Sequence, residues 1–354
     1  MREYAPRRDR ALQSLAELAS EALAVSSPPN LRYLTGFTGE GLLLLSKTPV
    51  LITDRRYETE AQEETSGCEV VAADRGHLAS LVEALRTQAP RRLAFESESL
   101  TYAQYLTLRD ALPETELVST TKLVENLRLR KTAPEVELIA RAAAIVDGVL
   151  DAMLPALAPG PTERQVGFEL NRALIEAGAE DLSFTPIVAG GPRSALPHAT
   201  LSDRVLHSGD MVVLDLGALV EGYCSDITRT VMLGDPSPEF VERYRAVQAA
   251  QRAGIAAAQP GRPVAEVDQA ARQVLIDAGF GEQFSHSLGH GVGLEVHEAP
   301  TLSARGDYAL EVGNVFTVEP GVYFPGWGGI RLEDLFVLEE TGPHRLTNAC
   351  QARY

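Results

Sequence analysis

The sequence predicts two domains, a smaller α/β domain followed by a larger α+β domain, and three observations lead to this prediction. The chain has 354 residues, which is more than a single hydrophobic core usually supports. Short apolar runs alternate with helical patterns up to about residue 120, as is typical of an α/β domain. Beyond residue 132, strand-like runs dominate and helical segments interrupt them, so the second part is predicted to be α+β.

The first domain is predicted from alternating helical and strand-like segments. A helical stripe of leucines and alanines runs from about Asp9 to Ala24. The runs Leu42–Leu45 and Val50–Thr53 are predicted strands, because a Lys-Thr-Pro turn separates them. The next predicted elements are helices near Tyr57–Glu64, His77–Gln88 and Tyr102–Ala111, and strands at Glu69–Ala72, Arg92–Phe95 and Glu116–Val118. No glycine-rich phosphate loop accompanies these strands, so the pattern does not indicate nucleotide binding.

A charged stretch from Lys122 to Lys131 separates the two parts of the sequence. Thr132 follows it, with Glu135 three residues further on, which is the pattern of a capping box at the start of a helix. We therefore place the first domain at residues 1–122, a linker at 123–132 and the second domain at 133–354.

The second domain is predicted to combine strands with helices that pack on one side of them. Its first helix ends near Leu157, and a second covers Pro161 to Gly178. The predicted strands are Phe184–Ala189, Met211–Leu216, Ile227–Leu233, Val315–Val318 and Leu335–Leu338, and two further helices cover about Pro238–Ala258 and Val264–Ala278.

Charge and cysteine content restrict the classes of function. The net charge is −17, from 49 acidic and 32 basic residues, which argues against binding to nucleic acid or to an anionic membrane surface. The three cysteines, Cys68, Cys224 and Cys350, fit neither a disulfide framework nor a zinc knuckle. The first residues lead into no signal-like apolar segment, and the longest apolar stretch, Leu42–Leu45, is too short to span a bilayer. We therefore expect a cytoplasmic protein that has no membrane partner.

Four acidic residues of the second domain interrupt or end apolar, strand-like runs: Asp215, Asp226, Glu319 and Glu333. An ionised carboxylate in such a place is costly unless it is paired or bound to a metal. Any one of these acids alone would more often be surface or turn decoration, so the prediction depends on the set. If the runs around Asp215 and Asp226 form a hairpin, their carboxylates lie at neighbouring points on one face. His290 is flanked by glycines, so backbone can approach it closely.

Four carboxylates in one place repel each other, and without cations some of them would be protonated. Two divalent ions would cancel the four negative charges. Oxygen-rich ligation with one imidazole suits Mn²⁺, Co²⁺ or Zn²⁺, and of these we favour Mn²⁺. A two-metal centre lowers the pKa of a bridging water and polarises a carbonyl.

Two further histidines have informative surroundings. His198 ends a loop-like stretch rich in glycine and proline, and His297 lies seven residues beyond His290. Each of them alone would more often be a structural histidine. The remaining histidines, which have no such surroundings, are predicted to be structural: His77, His207, His286 and His344. Cys224 lies near Asp226 but has no nucleophile motif around it, so we exclude it as a catalytic nucleophile.

The strings LDLGALVEGYCSDITRT, SLGHGVGLEVHEAP, TVEPGVY and IRLEDLFVL resemble the metal-binding signature of the pita-bread metallopeptidases. More narrowly, they are similar to the Xaa-Pro peptidase branch, which contains prolidase and aminopeptidase P. FTPIVAGGPRSALPHA resembles that branch's substrate-facing loop, and YLTGFTGE and VLITDRRY resemble its smaller, creatinase-like amino-terminal domain. The resemblance covers nearly the whole chain and implies a carboxy-terminal pita-bread domain.

Carried over to this chain, the resemblance implies a role for each matching residue. Asp215 would bind one metal, Asp226 and Glu333 would bridge two, and His290 and Glu319 would bind the other. Glu319 would also take a proton from the attacking water. The remaining implied roles are contact with the substrate carbonyl for His198 and His297, and support of the site for Arg331.

The resemblance implies small proline-containing peptides as substrates and a homodimer as the assembly. A dipeptidase is slightly favoured over an aminopeptidase P that acts on longer peptides. Arg55 and Arg56 are candidates for holding the free carboxylate of a dipeptide, although a solvated surface pair accounts for them equally well. Creatinase, methionine aminopeptidase and a metal-free binding protein of the same fold are weaker alternatives. The five intact ligand positions argue against creatinase and against a metal-free binding protein, and the large first domain argues against methionine aminopeptidase.

Overall fold

A computed structural model describes residues 4–352 and residue 354. The chain divides into two compact units between Arg128 and Leu129. The predicted domain limits, at residues 122 and 133, lie on either side of this division. Residues 1–3 and 353 of the predicted domains lie outside the described residues. No helix in the described part of the chain combines the length and apolar composition of a membrane-spanning segment.

The first unit is built on one mixed sheet. Its strands are β1 (Ala22–Val25), β2 (Gly41–Leu45), β3 (Val50–Asp54), β4 (Glu69–Ala73), β5 (Arg92–Glu96) and β6 (Glu116–Thr120). Its helices are α1 (Ala5–Glu17), α2 (Pro28–Thr35), α3 (Glu58–Glu64), α4 (His77–Gln88), α5 (Tyr102–Ala111) and α6 (Leu123–Arg128). The strand order is β4-β3-β2-β1-β5-β6. Leu44, Ile52 and Leu93 of the sheet pack in one core with Leu81 and Leu85 of α4.

One prediction for the first unit was wrong in detail. The predicted helix over Asp9–Ala24 ends at Glu17, because Ala19 adopts a positive φ of 50°. The apolar residues that follow form β1, which is buried throughout and pairs with β2 and β5. A short, continuous apolar run fits either a buried strand or a buried helix face, so periodicity alone did not separate them. Helix α6 also occupies residues 123–128, the first part of the predicted linker.

The second unit carries long helices and several small sheets. Its helices are α7 (Ala133–Met153), α8 (Glu163–Glu176), α9 (Pro238–Ala257) and α10 (Val264–Asp277). Its strands are β7 (Asp181–Leu182), β8 (Ile187–Gly190), β9 (Met211–Leu216), β10 (Ala218–Val220), β11 (Tyr223–Cys224), β12 (Ile227–Met232), β13 (Gly289–Gly291), β14 (Glu298–Leu302), β15 (Val315–Val318), β16 (Gly321–Phe324), β17 (Gly328–Arg331), β18 (Asp334–Glu339) and β19 (Gly342–Arg345).

The sheets of the second unit run in the orders β12-β9-β8, β11-β10-β7, β14-β13-β15-β18-β19 and β16-β17. One core packs α7 and α8 against β9 and β12, and a second packs α9 and α10 against β15 and β18. The mixed helix and sheet content confirms the predicted α+β class. The predicted strand at Phe184–Ala189 begins later, at Ile187, because Pro186 has no amide hydrogen to donate to a ladder.

Candidate metal centre

The five residues predicted to bind metal lie in or beside strands of the second unit. Strands β9 and β12 are antiparallel, with Leu216 opposite Ile227, so Asp215 and Asp226 lie at the same end of the pair, as predicted. His290 lies in β13, Glu319 directly follows β15 and Glu333 directly precedes β18. Because β13, β15 and β18 are neighbours in one sheet, the pairing of these strands brings the three side chains together.

Two overlapping groups of side chains have the spacing of metal ligands. One oxygen from each of Asp215, Asp226 and Glu333 lies within 4.8 Å of the other two. The same limit holds for one atom from each of His290, Glu319 and Glu333. Glu333 therefore belongs to both groups. A third group joins Asp226 and His290 to His297, so His297 also lies at the edge of this cluster.

Three carboxylate oxygens of the cluster are buried and have no hydrogen-bond partner among the described residues: Asp215 Oδ1, Asp226 Oδ1 and Glu333 Oε1. Buried polar atoms in folded proteins are almost always partnered, and leaving a charged one unpartnered is costly. The protein satisfies the other oxygen in two cases, since Arg331 Nη2 donates to Asp215 Oδ2 at 2.5 Å and Thr228 Oγ1 donates to Glu333 Oε2 at 2.6 Å. This donor set fits divalent cations that prefer oxygen and imidazole ligands.

The electrostatics of the cluster also favour bound cations. Burial, with the charge of Glu333, raises the pKa of Asp226 well above its usual value. Burial, with the charge of Glu319, does the same to the pKa of Glu333. Burial would also raise the pKa of Glu319, but the hydrogen bond and charge of His290 bring it down to about 2. Burial would lower the pKa of His290, yet Glu319 raises it to about 9. An ion-free cluster thus retains protons that bound cations would displace.

The eight residues predicted for the site line one cavity of about 720 Å³: His198, Asp215, Asp226, His290, His297, Glu319, Arg331 and Glu333. The ring of His297 lies 4.3 Å from that of His290, measured between centroids. Burial and the charge of His290 lower the pKa of His297, which favours its neutral form. Apolar residues line the cavity as well, among them Phe184, Pro186 and Ile187.

Arg331 lies at the centre of a hydrogen-bond network beside the cluster. Besides Asp215, its guanidinium donates to Thr228 Oγ1 at 3.1 Å and to Tyr323 Oη at 2.9 Å. It also donates to the carbonyl of Pro197 at 3.1 Å, next to His198. The arginine thus contacts both a predicted metal ligand and the loop that carries a predicted substrate contact.

Sequence reasoning missed His286 as a cavity residue. His286 lines the cavity, and its Nδ1 lies 2.8 Å from the carbonyl of Ser287. A carbonyl only accepts, so Nδ1 carries the proton. Since burial lowers the pKa of His286, Nε2 is an acceptor for the Tyr323 hydroxyl at 3.0 Å. The position of His286, four residues before His290, was the signal available in the sequence.

Other residues considered from the sequence lie elsewhere. His207 and His344 are exposed, and His77 begins α4 in the first unit. Cys224 is buried in β11 and does not belong to the residues that line the cavity. In the first unit, Arg55 forms an exposed ion pair with Asp74 at 2.7 Å, and Arg56 forms one with Asp54 at 2.6 Å.

A buried cluster of carboxylates and an imidazole, placed at strand ends of an α+β domain, defines a candidate metal-dependent hydrolase. Residues 137–340 match the model of metallopeptidase family M24, and residues 7–130 match that of the Creatinase/Prolidase N-terminal domain. The chain belongs to metallopeptidase family M24, whose members use divalent metal ions. This confirms the predicted family and the two-domain fold class.

Several proteins similar to this chain are named as Xaa-Pro peptidases. The Xaa-Pro dipeptidase of Pyrococcus furiosus is 34% identical over 343 residues, covering 96% of this chain and 97% of the relative. The solved structure of an Xaa-Pro dipeptidase from Bacillus anthracis is 38% identical, with a TM-score of 0.95 and 99% coverage of both chains. The crystal structure of an X-Pro aminopeptidase from Thermotoga maritima is 36% identical, with a TM-score of 0.92 and 98% coverage of both chains.

Proposed function

We propose that this chain is a two-metal peptidase that hydrolyses the bond before proline in small peptides, and that dipeptides are its main substrates. One observation carries the proposal: the three unpartnered carboxylate oxygens of Asp215, Asp226 and Glu333 are buried in a cavity that also holds His198, His297 and Arg331. A cluster built only for stability would not leave these oxygens without partners beside an open volume of about 720 Å³.

The proposed ligands are Asp215, Asp226, His290, Glu319 and Glu333. Glu333 belongs to both groups of side chains with ligand spacing, which supports a bridging role between two ions. A pair of divalent ions bound there would supply a hydroxide at neutral pH and polarisation of the substrate carbonyl. Among Mn²⁺, Co²⁺ and Zn²⁺ we favour Mn²⁺, because four of the five proposed ligands are carboxylates.

The side chains around the cluster have distinct proposed tasks. Glu319 accepts the proton of the attacking water and passes it to the leaving nitrogen, since a carboxylate in the cavity can act as general base and then as general acid. His198 and His297 contact the substrate carbonyl and stabilise the developing oxyanion. Arg331 holds Asp215 in place through the hydrogen bond to Oδ2.

The proline specificity is supported by chemistry and by the relatives. An Xaa-Pro bond is a tertiary amide without an N–H group, and the ring fixes φ, so a protease that needs a backbone donor there binds it badly. The apolar side chains of Phe184, Pro186 and Ile187 in the cavity wall offer a surface for the ring. Relatives with high coverage are named Xaa-Pro dipeptidases.

The test is a direct assay on matched peptides. The purified protein is stripped with a chelator, reloaded with Mn²⁺, Co²⁺ or Zn²⁺, and assayed on Ala-Pro, Ala-Pro-Ala and the proline-free control Ala-Ala. Metal-dependent cleavage of Ala-Pro in preference to the other two supports the proposal. Cleavage of Ala-Ala at a similar rate would contradict the proline specificity, and no cleavage with any of the metals would contradict the peptidase function.

An aminopeptidase that removes the first residue from longer Xaa-Pro peptides is the second candidate. It is favoured by the similarity to the X-Pro aminopeptidase of Thermotoga maritima. A clear preference for Ala-Pro-Ala over Ala-Pro would select it. We also propose a cytoplasmic homodimer, which light scattering of the purified protein and fractionation of the source cells would test.

A further inference from the structure

The loop that carries His198 into the cavity has little regular structure of its own. It leaves β8 at Gly190, forms a 3-10 turn over Gly191–Ala195 and continues beyond residue 200 without a strand or helix. Four consecutive residues of this loop, 197–200, line the cavity. Since irregular backbone is not held by a ladder of hydrogen bonds, other contacts must fix the position of His198.

Glu163, the first residue of α8, joins three points of this loop. Its side chain is fully buried, with 0% exposure. Oε1 accepts from the amide of Gly190 at 2.9 Å. Oε2 accepts from Arg193 Nε at 2.9 Å and from Ser202 Oγ at 2.5 Å. One carboxylate therefore ties together the beginning, the turn and the end of the loop.

Arg193 extends this connection to the residues around His198. Its Nη2 donates to the carbonyl of Thr200 at 2.7 Å while its Nε is bound to Glu163. On the other side, Arg331 donates to the carbonyl of Pro197. The backbone is thus held one residue before His198 and two residues after it, and the second of these contacts depends on Glu163 through Arg193.

A purely stabilising role does not account for this arrangement. An acidic residue in the first turn of a helix is favourable because of the helix dipole, but such a residue can remain in water. Here the carboxylate is fully buried while Arg193 keeps 30% of its side chain exposed; taking a carboxylate out of water is costly, and a well-packed apolar residue would often be equally stable or more so. The rigid fork of an arginine, by contrast, can bind two acceptors in fixed directions. Arg193 donates from one nitrogen to Glu163 and from another to the Thr200 carbonyl, so its rigid guanidinium sets the distance between these two groups.

We propose that Glu163 and Arg193 are positioning residues that fix His198 at the cavity wall. The expected effect on catalysis rests on the proposed function, in which His198 contacts the substrate carbonyl. Neither residue lines the cavity itself, so both act through the loop. A displacement of about 1 Å at a reacting centre lowers rates by about 100-fold, so loss of this connection should be measurable.

The first experiment is a double-mutant cycle. Arg193→Lys keeps the positive charge beside Glu163, but its single nitrogen cannot reproduce the two-armed contact. We expect kcat/KM on Ala-Pro to fall by about 10- to 100-fold, whereas in the His198→Ala background the same change should cost less than about 2-fold. The control is Arg164→Lys, one residue after Glu163, where an arginine with 44% side-chain exposure pairs with Asp203 on the surface. It should leave kcat/KM unchanged. Equal losses from Arg193→Lys in both backgrounds would overturn the positioning role.

The second experiment does not require activity. The imidazole carbon–proton NMR signals of the seven histidines are recorded, and that of His198 is assigned as the signal missing in His198→Ala. Arg193→Lys should shift or broaden the His198 signal, and Arg164→Lys should not. An unchanged His198 signal in Arg193→Lys would overturn the inference. If the wild-type protein cleaves none of the peptides, the proposed function fails, and this measurement still decides whether Arg193, which is bound to Glu163, positions His198.

Discussion

Thr228 and Thr230 offer a matched pair of substitutions for testing the candidate metal centre. Both lie in β12 and are buried, with exposures of 0% and 1%. Thr228 Oγ1 donates to Glu333 Oε2 at 2.6 Å and accepts from Arg331 Nε at 3.1 Å. Thr230 Oγ1 donates to the carbonyl of Arg331 at 2.8 Å and accepts from its amide at 3.1 Å. Valine keeps the branched shape at each position and replaces only the hydroxyl group with a methyl group.

The expected losses differ because the partners differ. Thr230→Val removes two hydrogen bonds to neutral backbone groups, at about 1 kcal/mol each, so the free energy of unfolding should fall by about 2 kcal/mol. Thr228→Val removes one bond to the charged guanidinium of Arg331, at about 1.5–3 kcal/mol, and one to Glu333, whose raised pKa keeps it protonated without metal, at about 1 kcal/mol, so it should fall by about 2.5–4 kcal/mol. Because Glu333 is a proposed metal ligand, Thr228→Val should also weaken metal binding by about 10- to 100-fold. Thr230→Val should not weaken it.

Two measurements separate these effects. Denaturant unfolding of the chelator-treated proteins gives the free energy of unfolding, and calorimetric titration with Mn²⁺ gives the metal affinity of the folded variants. If the Thr228→Val and Thr230→Val proteins bind Mn²⁺ equally well, the hydrogen bond from Thr228 does not orient Glu333 for metal binding. That result would refute the role of Thr228 in orienting Glu333 as a metal ligand.

Three further predictions follow from the described contacts. Lys131 and Glu298 form a buried ion pair at 2.6 Å, with side-chain exposures of 2% and 7%; Lys131→Met should lower the free energy of unfolding by about 3–5 kcal/mol. Arg130→Met, at a side chain with 66% exposure, is its control and should cost less than about 1 kcal/mol; equal losses would contradict the prediction. Loading the chelator-treated protein with Mn²⁺ at about 100 times its Kd should stabilise it by about 2.7 kcal/mol, seen as a higher Tm in thermal scans, and an unchanged Tm would argue against a metal site. Alanine at Arg55 or Arg56 should raise KM for Ala-Pro more than for Ala-Pro-Ala, and equal changes would exclude carboxylate recognition by that residue.

The sequence was most informative where a polar residue breaks an apolar run. Asp215 is conspicuous because its strand β9 is buried along its whole length, and Glu319 because it directly follows the equally buried strand β15. The cost of a carboxylate in such a place is visible from its neighbours in the chain. The antiparallel pairing of β9 with β12 then follows from ordinary strand rules, and it brings Asp226 close to Asp215.

The parts that the sequence did not predict depend on contacts between distant segments. The hydrogen bond between His286 and Tyr323 joins residues 37 positions apart, and no local pattern indicates it. Strands β13 and β17 are rich in glycine, a residue that is depleted in strands. At these glycines, however, neighbouring atoms leave no room for a side chain. A Cβ at Gly289 would lie 2.0 Å from the carbonyl oxygen of Thr317, so close backbone approach required glycine where strand propensity argued against it.

Arg331 joins the two halves of the proposed chemistry in one side chain. Its guanidinium contacts Asp215, a proposed metal ligand, and the carbonyl of Pro197, next to a proposed substrate contact. A lysine at this position has a single nitrogen and cannot span both acceptors together with Tyr323. Excess metal could refill a weakened ligand set by mass action, but it could not restore the loop that carries His198. If kcat/KM of Arg331→Lys stays low at saturating Mn²⁺, the remaining loss measures the contact of Arg331 with the loop that carries His198. If kcat/KM recovers fully, Arg331 acts only through the metal ligand Asp215.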